Sequence, residues 1–290
     1  MAESNIEAFT LQRLAWNGTL IESLVVVGPW ARFVNQWQLW FGLGWNFDRW
    51  DNRETQDGAQ LQRKGGFWAE VWLKTDQRKA VNGELNAHLH RVPRGYTTIG
   101  DFTLGLRPLP QFELQLIPRW YATWGEPRWA ETAALAGGDR TYTIGDLRSE
   151  SFDVTLRGIY TFTPRLTFQL YTQVFVAAGH FSNWMSSTVT PATCPDGRNP
   201  CTLARMPLST FQPAASKGAD DDFGYGDINI NAVLRWEFLP GSTLMAVYTR
   251  SQRQPDYDYT LEGRGVPDFR PFRAGPSTDA FLLKLSYLWR

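Results

Sequence analysis

No stretch of eighteen or more apolar residues occurs in this 290-residue chain, which excludes a membrane-spanning helix, since that needs about 20 such residues. Net charge is missing too: 29 Lys and Arg balance 29 Asp and Glu. A polyanionic partner leaves a basic footprint on the sequence that binds it, so no nucleic acid is expected. Cysteine is reduced to Cys194 and Cys201, both inside "TCPDGRNPC". Set among Pro, Gly, Asp and Asn, the pair reads as a disulfide closing a small exposed loop if the compartment is oxidising. Two free thiols are the alternative, and a metal site would want more ligands nearby. The opening "MAESNIEAFTLQRL" holds neither the basic stretch nor the apolar core of an export signal. If the remainder is that of an exported protein, the chain is a mature form or a piece of something longer. Phosphate-cradling and dinucleotide-type glycine loops are absent as well, and no cofactor is expected.

Aromatic residues, by contrast, are abundant. Phe, Trp and Tyr make up 14% of the chain while 20% is charged, so the sequence is aromatic-rich without being hydrophobic on average. A membrane-crossing strand fits that balance, because about 9 to 11 residues suffice and only every second one must be apolar. Alternation of this kind recurs. Phe33, Trp37, Leu39, Phe41, Leu43, Trp45 and Phe47 share one parity, against Gln36, Gln38, Gly42, Gly44, Asn46 and Asp48. Val81, Leu85, Ala87 and Leu89 oppose Asn82, Glu84, Asn86, His88 and His90. The same holds for Phe112 to Trp120, Phe152 to Tyr160, Leu166 to Val176, Ile228 to Phe238 and Phe281 to Trp289. A period of two sends successive side chains to opposite sheet faces, so each segment reads as a strand with one apolar and one polar face.

Short turns rich in Pro and Gly lie at "VGPWAR", "TDQRKA", "RPLPQ", "FTPRL" and "FLPGS". Longer polar stretches run from Trp50 to Gly65, Thr123 to Ser149, Ala178 to Gly226 and Ser251 to Asp279. Apart from the brief link "VPRG", long and short connections alternate, as in an up-and-down meander with turns at one rim and loops at the other. A soluble sandwich or propeller also alternates, but a propeller would repeat every 40 residues or so, and no such repeat is found. The strand from Phe33 to Arg49 would be 17 residues long, against about 5 to 6 for a common soluble strand. Aromatics also gather near strand ends (Trp30, Trp45, Trp120, Trp124, Tyr160, Phe162, Trp236, Phe238), where the interfacial girdles of a membrane barrel sit.

The expected fold is therefore all-β: an antiparallel, up-and-down transmembrane β-barrel with about twelve strands in this chain, forming a single domain over residues 1–290. Residues 1–18 are an N-terminal segment or an extra strand, with Ile6 to Leu14 available as the twelfth. The alternative is an N-terminally truncated part of a larger barrel. Residues 178–226 are expected to form a long extracellular loop that could fold inward as a constriction.

If the apolar faces look at lipid, the polar faces look inward. That lumen-facing set holds Glu84, His88, His90, Asp101, Arg107, Glu113, Arg119, Asp153, Arg157, Gln169, Gln173, Arg235, Glu237 and Lys284. Both signs are interspersed, which reads as a ladder of hydrogen bonds and ion pairs; a selective pore would want one dominant sign or a ring of ligands. His88 and His90 could supply two metal ligands from one face, but no third can be named, so no metal is assigned. Asp220, Asp221, Asp222 and Asp227 offer oxygens to calcium without the spacing of a known calcium loop, and solvated rim charge is the plainer reading. His180 and Ser182 in "AGHFSNW" invite nucleophilic catalysis, but no orienting acid can be assigned. No catalytic residue is assigned, and no enzyme activity is expected.

"VLRWEFLPGSTLMAVYTR" (Val233 to Arg250) and the terminal "FLLKLSYLWR" resemble the carboxy-terminal outer-membrane barrel of the domain-of-unknown-function 5916 family. "GGFWAEVWLKTDQRKAV" (Gly65 to Val81) is similar to another of its barrel segments, so the likeness spans roughly Gly65 to Arg290. These motifs mark barrel hairpins, not a catalytic site. In that family a domain resembling carbohydrate-binding family 9 usually precedes the barrel; it is not in this chain, and sugar recognition is not carried over. The resemblance implies residence in a Gram-negative outer membrane, with lipid, the barrel-assembly machinery and such an N-terminal domain as partners. It also implies that the last strand is the assembly signal, with Phe281, Leu283, Leu285, Tyr287 and Trp289 facing lipid and Lys284 and Ser286 facing the lumen. The expected function is that of a porin-like passive channel or a membrane anchor. The alternatives are a soluble carbohydrate-binding β-protein and an outer-membrane barrel hydrolase.

Overall fold

A computed structural model describes residues 1–16, 18–190, 205–215, 222–254 and 275–289. Cys194, Cys201, Asp220 and Asp221 lie outside the described residues, and so does their proposed chemistry. The strands, in chain order, are β1 (Glu3–Leu14), β2 (Leu20–Arg32), β3 (Gln38–Asn46), β4 (Arg49–Asp51), β5 (Gln60–Arg63), β6 (Gly66–Lys74), β7 (Val81–Val92) and β8 (Gly95–Leu109). They continue with β9 (Phe112–Ala134), β10 (Arg140–Thr163), β11 (Leu166–Val189), β12 (Arg205–Met206), β13 (Gln212–Pro213), β14 (Phe223–Leu239), β15 (Ser242–Gln254) and β16 (Ser277–Ser286).

Twelve of these form one antiparallel sheet in the order β1-β2-β3-β6-β7-β8-β9-β10-β11-β14-β15-β16, with β13 paired to β11. Every neighbour along that path is also the next long strand in the chain, so the sheet is an up-and-down meander. β1 supplies the twelfth strand that Ile6 to Leu14 predicted. The connections after β2, β6, β8, β10 and β14 gather at one rim, together with the start of β1 and the end of β16. A second, three-stranded sheet, β12-β5-β4, is built from residues between the long strands.

Several boundaries differ from the alternation. The strand expected from Phe33 to Arg49 begins only at Gln38. Asn35 accepts the Trp37 N–H at 3.2 Å and Gln36 takes φ 67°, so residues 33–37 turn the chain instead of extending it. The stretch from Thr123 to Ser149, read as a long loop, is mostly strand: β9 and β10 run on to a five-residue turn. Its polarity misled because the phase breaks. The β9–β10 register shifts at Leu147/Arg148, opposite Gly125, whose φ of +73° accommodates an extra residue. The loop expected over 178–226 likewise starts late, since β11 continues to Val189, and ends early, since β14 starts at Phe223. The expected loop from Trp50 to Gly65 contains β4 and β5. At the other end β16 stops at Ser286, before Tyr287 and Trp289.

Cross-strand partners project to the same face, so the register can be followed across the sheet. Trp30 faces Trp40, and then in turn come Trp72, Asn86, Asp101, Arg119, Asp153, Phe175, Asp227 and Arg253. Counting by twos from this row, Glu84, His88, His90, Arg107, Glu113, Arg157, Gln169, Gln173, Arg235 and Glu237 share the face, and Lys284 joins it opposite Met245. The other face carries Val25, Val27, Phe41, Leu43, Trp45, Phe67, Leu85, Leu89, Phe102, Leu116, Trp120, Leu234, Trp236, Phe281, Leu283 and Leu285, all exposed. Ile159 and Leu282 are exposed apolar residues on the polar face, as are Phe9 and Leu11 on the edge strand β1.

The sheet curls with its polar face inside. Ala59 and Leu61 pack in one buried cluster with Tyr142 and Ile144 of β10, while Gln60 between them donates to Thr19 Oγ1, just before β2, at 2.9 Å. In a flat sheet β2 and β10 would lie six strand spacings, ~29 Å, apart. One residue and its two neighbours bridge that gap only if the sheet bends towards them.

Candidate functional site

The polar face is a ladder of paired groups. Lys74 meets Glu84 at 3.1 Å, and Glu84 also accepts the Trp72 indole N–H at 2.8 Å. Asn86 donates to Asp101 at 3.0 Å, Arg107 to Glu113 at 3.4 Å, and Gln115 to the same Glu113 oxygen at 3.2 Å. Further round, Arg157 lies over the Tyr171 ring at 5.7 Å, Arg235 lies 3.9 Å from Glu237, and Arg253 donates to the Tyr225 hydroxyl, which bonds Asp227. Neither sign dominates. The wall is thus stitched by mutual neutralisation, in line with the interspersed charges of the sequence.

Residues 47–65 cross this wall near the loop rim. Their anchor is Arg63, with 7% of its side chain exposed, which reaches Glu54 at 2.8 Å, Asp51 at 3.4 Å and Glu126 of β9 at 3.5 Å, and donates to the Pro127 carbonyl at 2.6 Å. Arg128 of β9 closes the network on Glu54 at 2.6 Å. Burial works to raise the Glu54 pKa, but Arg63, Arg128 and the Trp129 N–H outweigh it and hold the carboxyl below the usual range. Asp57 behaves alike: burial opposes, yet the Ala59 N–H, Tyr142 and Arg140 keep it low. At the turn rim, the Arg78 side chain bonds Asp76, with help from the Arg78 N–H, and brings its pKa to about 2.

Residues 49–63 thus form a strap across the wall, and residues 205–213 hold it from the other side. β12 pairs with β5 in parallel, Arg205 Nε donates to Gln60 at 3.1 Å, and the Leu208 N–H donates to Gln62 at 3.1 Å. Met206 and Phe211 fall into the same buried cluster as Leu61, Tyr142 and Ile144. Part of the segment expected as a constriction is therefore packed inward, and residues 49–63, read from sequence as a plain polar loop, do the larger share of the crossing. Arg49 and Arg63, spaced fourteen apart at the two ends of a polar stretch, were its only signal.

His88 and His90 do point to one face, and each leaves its Nε2 without a partner. Glu70 stands directly opposite His88. No group of three or more His, Cys, Asp and Glu side chains able to hold a metal occurs among the described residues. His180 has an acid beside it after all: Nδ1 lies 2.7 Å from Asp222, which also accepts the Phe181 N–H at 3.0 Å. Asp222 is 42 positions away, so spacing could not reveal it. Ser182 donates its hydroxyl to the Asp146 carbonyl at 3.3 Å, and no described hydrogen bond joins it to His180.

A family described as Domain of unknown function (DUF5916) matches residues 4–288. The chain belongs to this family. The match extends well before Gly65, so the DUF5916 relationship covers β1 to β5 and the strap as well as the hairpins that carried the resemblance. No curated protein and no solved structure matches the chain.

Proposed function

We propose that this DUF5916 chain is the wall of an outer-membrane β-barrel whose apolar face lies against lipid and whose polar, concave face lines a water-filled passage narrowed by residues 49–63 and 205–213. One observation carries the reading: from β2 to β16 charge and exposed apolar side chains segregate to opposite faces, with Ile159 and Leu282 as exceptions. On β10 the outward row from Phe152 to Phe162 spans ten residue steps. That is ~33 Å along a strand and ~25 Å along the axis of a sheet tilted by ~40°, the height of a barrel's lipid band.

Aromatic pairs bracket the band: Phe112 with Tyr160 and Trp236 with Phe238 near the turn rim, Tyr96 with Trp124 near the loop rim. Outward charges begin only beyond it, as Arg148 over the Trp124 ring at 4.2 Å and the pair Arg250 and Asp279 at 3.5 Å. A soluble carbohydrate-binding β-protein would leave that whole face in water, far beyond the few hundred Å² a soluble monomer exposes. In this reading the turns face the periplasm, and Phe281, Leu283 and Leu285 are the lipid row by which the assembly machinery takes up the last strand. The balanced wall makes the passage a passive conduit; a strap that fully blocks it would leave the molecule an anchor for another domain.

Gel mobility before and after boiling, combined with planar-bilayer recording, tests the proposal. Heat-dependent mobility with stepwise conductance supports a conduit, and heat-dependent mobility without conductance supports the anchor. Unchanged mobility with detergent-free solubility sinks both.

A further inference from the structure

The polar wall uses an indole and a carboxylate to hold a cation, and then repeats the arrangement without one. In the filled version Lys74 Nζ sits 5.7 Å from the Trp72 ring centroid and 3.1 Å from Glu84, which also fixes the Trp72 N–H. The empty version lies two rungs along the same strands and the same face. Glu70 occupies the same face between Trp68 and Trp72, and faces Gly42 of β3 on one side and His88 of β7 on the other. Gly42 has no side chain of its own, and two indoles take up the space beside it: a Cβ there would stand 3.0 Å from Trp40 Cζ2 and 3.1 Å from Trp68 Cζ3. His88 touches Trp68 edge-on at 5.2 Å between centroids and leaves its Nε2 unpartnered. No described ion pair or hydrogen bond involves the Glu70 carboxylate, whereas Glu84 and Glu113 on this wall each have a cationic neighbour.

A half-buried carboxylate beside two indoles favours a desolvated cation that can lie against a ring, because an indole's negative face and the carboxylate attract the same charge. A small alkylammonium satisfies it better than a metal ion, which would need more oxygen or nitrogen ligands than the wall supplies. We propose that Glu70, Trp40 and Trp68 form a binding site for an organic cation of the alkylammonium class, inside the passage. The site rests on the preceding reading only in taking the polar face as the watered one.

Calorimetric titration of the folded protein in detergent, with tetramethylammonium chloride as the probe and sodium chloride and tert-butanol as controls, tests it without any membrane. Saturable binding of tetramethylammonium is expected, weakened at least tenfold by Glu70→Gln and by Trp68→Ala. His88→Lys provides the independent variant: a lysine opposite Glu70 would mimic Lys74 opposite Glu84 and abolish binding of the probe, while circular dichroism shows an intact sheet. Absence of saturation in the wild type, equal binding of tert-butanol, or undiminished binding by Glu70→Gln or His88→Lys would overturn the site. Loss of conductance alone would bear on the passage and leave this measurement intact.

Discussion

Arg63 and Glu54 form an ion pair 2.8 Å long with 7% and 10% of their side chains exposed, and both belong to the strap that crosses the polar wall. An ion pair this dry is costly to break from one side, because the partner left behind is a buried, unpaired charge. Arg63→Ala should therefore free residues 49–63, at a cost of about 3 kcal/mol to the local fold. Limited proteolysis reads the outcome: cleavage within 49–63 should appear in the variant under conditions where the wild type resists. Conductance should rise at the same time. A strap that stays protected would show that the hydrophobic cluster alone holds it.

Acid should loosen the same segment. The Glu54 and Asp57 carboxyls are held below their usual pKa by their partners, so their contribution is present above the unfolded value and disappears as pH falls through the lower, folded one. Protease protection of the strap should be constant at neutral pH and decline below about pH 4.5, the region of unperturbed carboxyls. Glu54→Gln should flatten that decline while lowering protection at neutral pH.

Leu61 is fully buried and sits at the centre of the cluster that joins the strap to β10. Leu61→Ala should cost about 2 to 5 kcal/mol through lost burial and an unfilled cavity. Its effect should fall on strap protection, with the heat-dependent mobility of the main sheet unchanged. A uniform loss across the whole molecule would mean that strap and wall unfold as one unit.

The two faces predict opposite responses to one substitution at adjacent positions. Leu116→Arg places a charge in the middle of the apolar band and should destabilise the membrane-inserted form by about 2 to 4 kcal/mol. Gln115→Arg, one residue away on the polar wall beside Glu113, should be nearly neutral. Denaturant titration in lipid vesicles measures the difference, and equal effects would speak against a lipid-facing band.

Much of this was readable from the chain because period-two alternation survives wherever one face is apolar and the other charged. The rows through Glu84, Asp101, Arg119, Asp153 and Arg235 carry that signal strongly, and the register joins them as the alternation implied. It failed where a local backbone device shifts the phase. Gly125 puts an extra residue into β9, and β11 carries another where residues 183 and 184, the first at φ 50°, stand against Gly145 of β10, so the alternation cancels and polar strand looks like loop. The strap stayed hidden for a different reason: its partners, Arg63 with Glu126 or Gln60 with Thr19, are 63 and 41 positions apart, and no short-range pattern encodes them. Glu70 was passed over because a carboxylate without a partner leaves no trace in spacing.

The extra residue at Gly125 also divides the molecule's tolerance of change in length. Below it, adding or deleting one residue in β9 would exchange every apolar-face and polar-face side chain of that strand up to its turn, a change no single compensating substitution could repair. Above it, the glycine has already absorbed one such step, and the projecting ends of β9 to β11 keep their pairing in a new phase. The loop-side rim is thereby free to gain and lose residues over generations while the wall beneath it keeps its count.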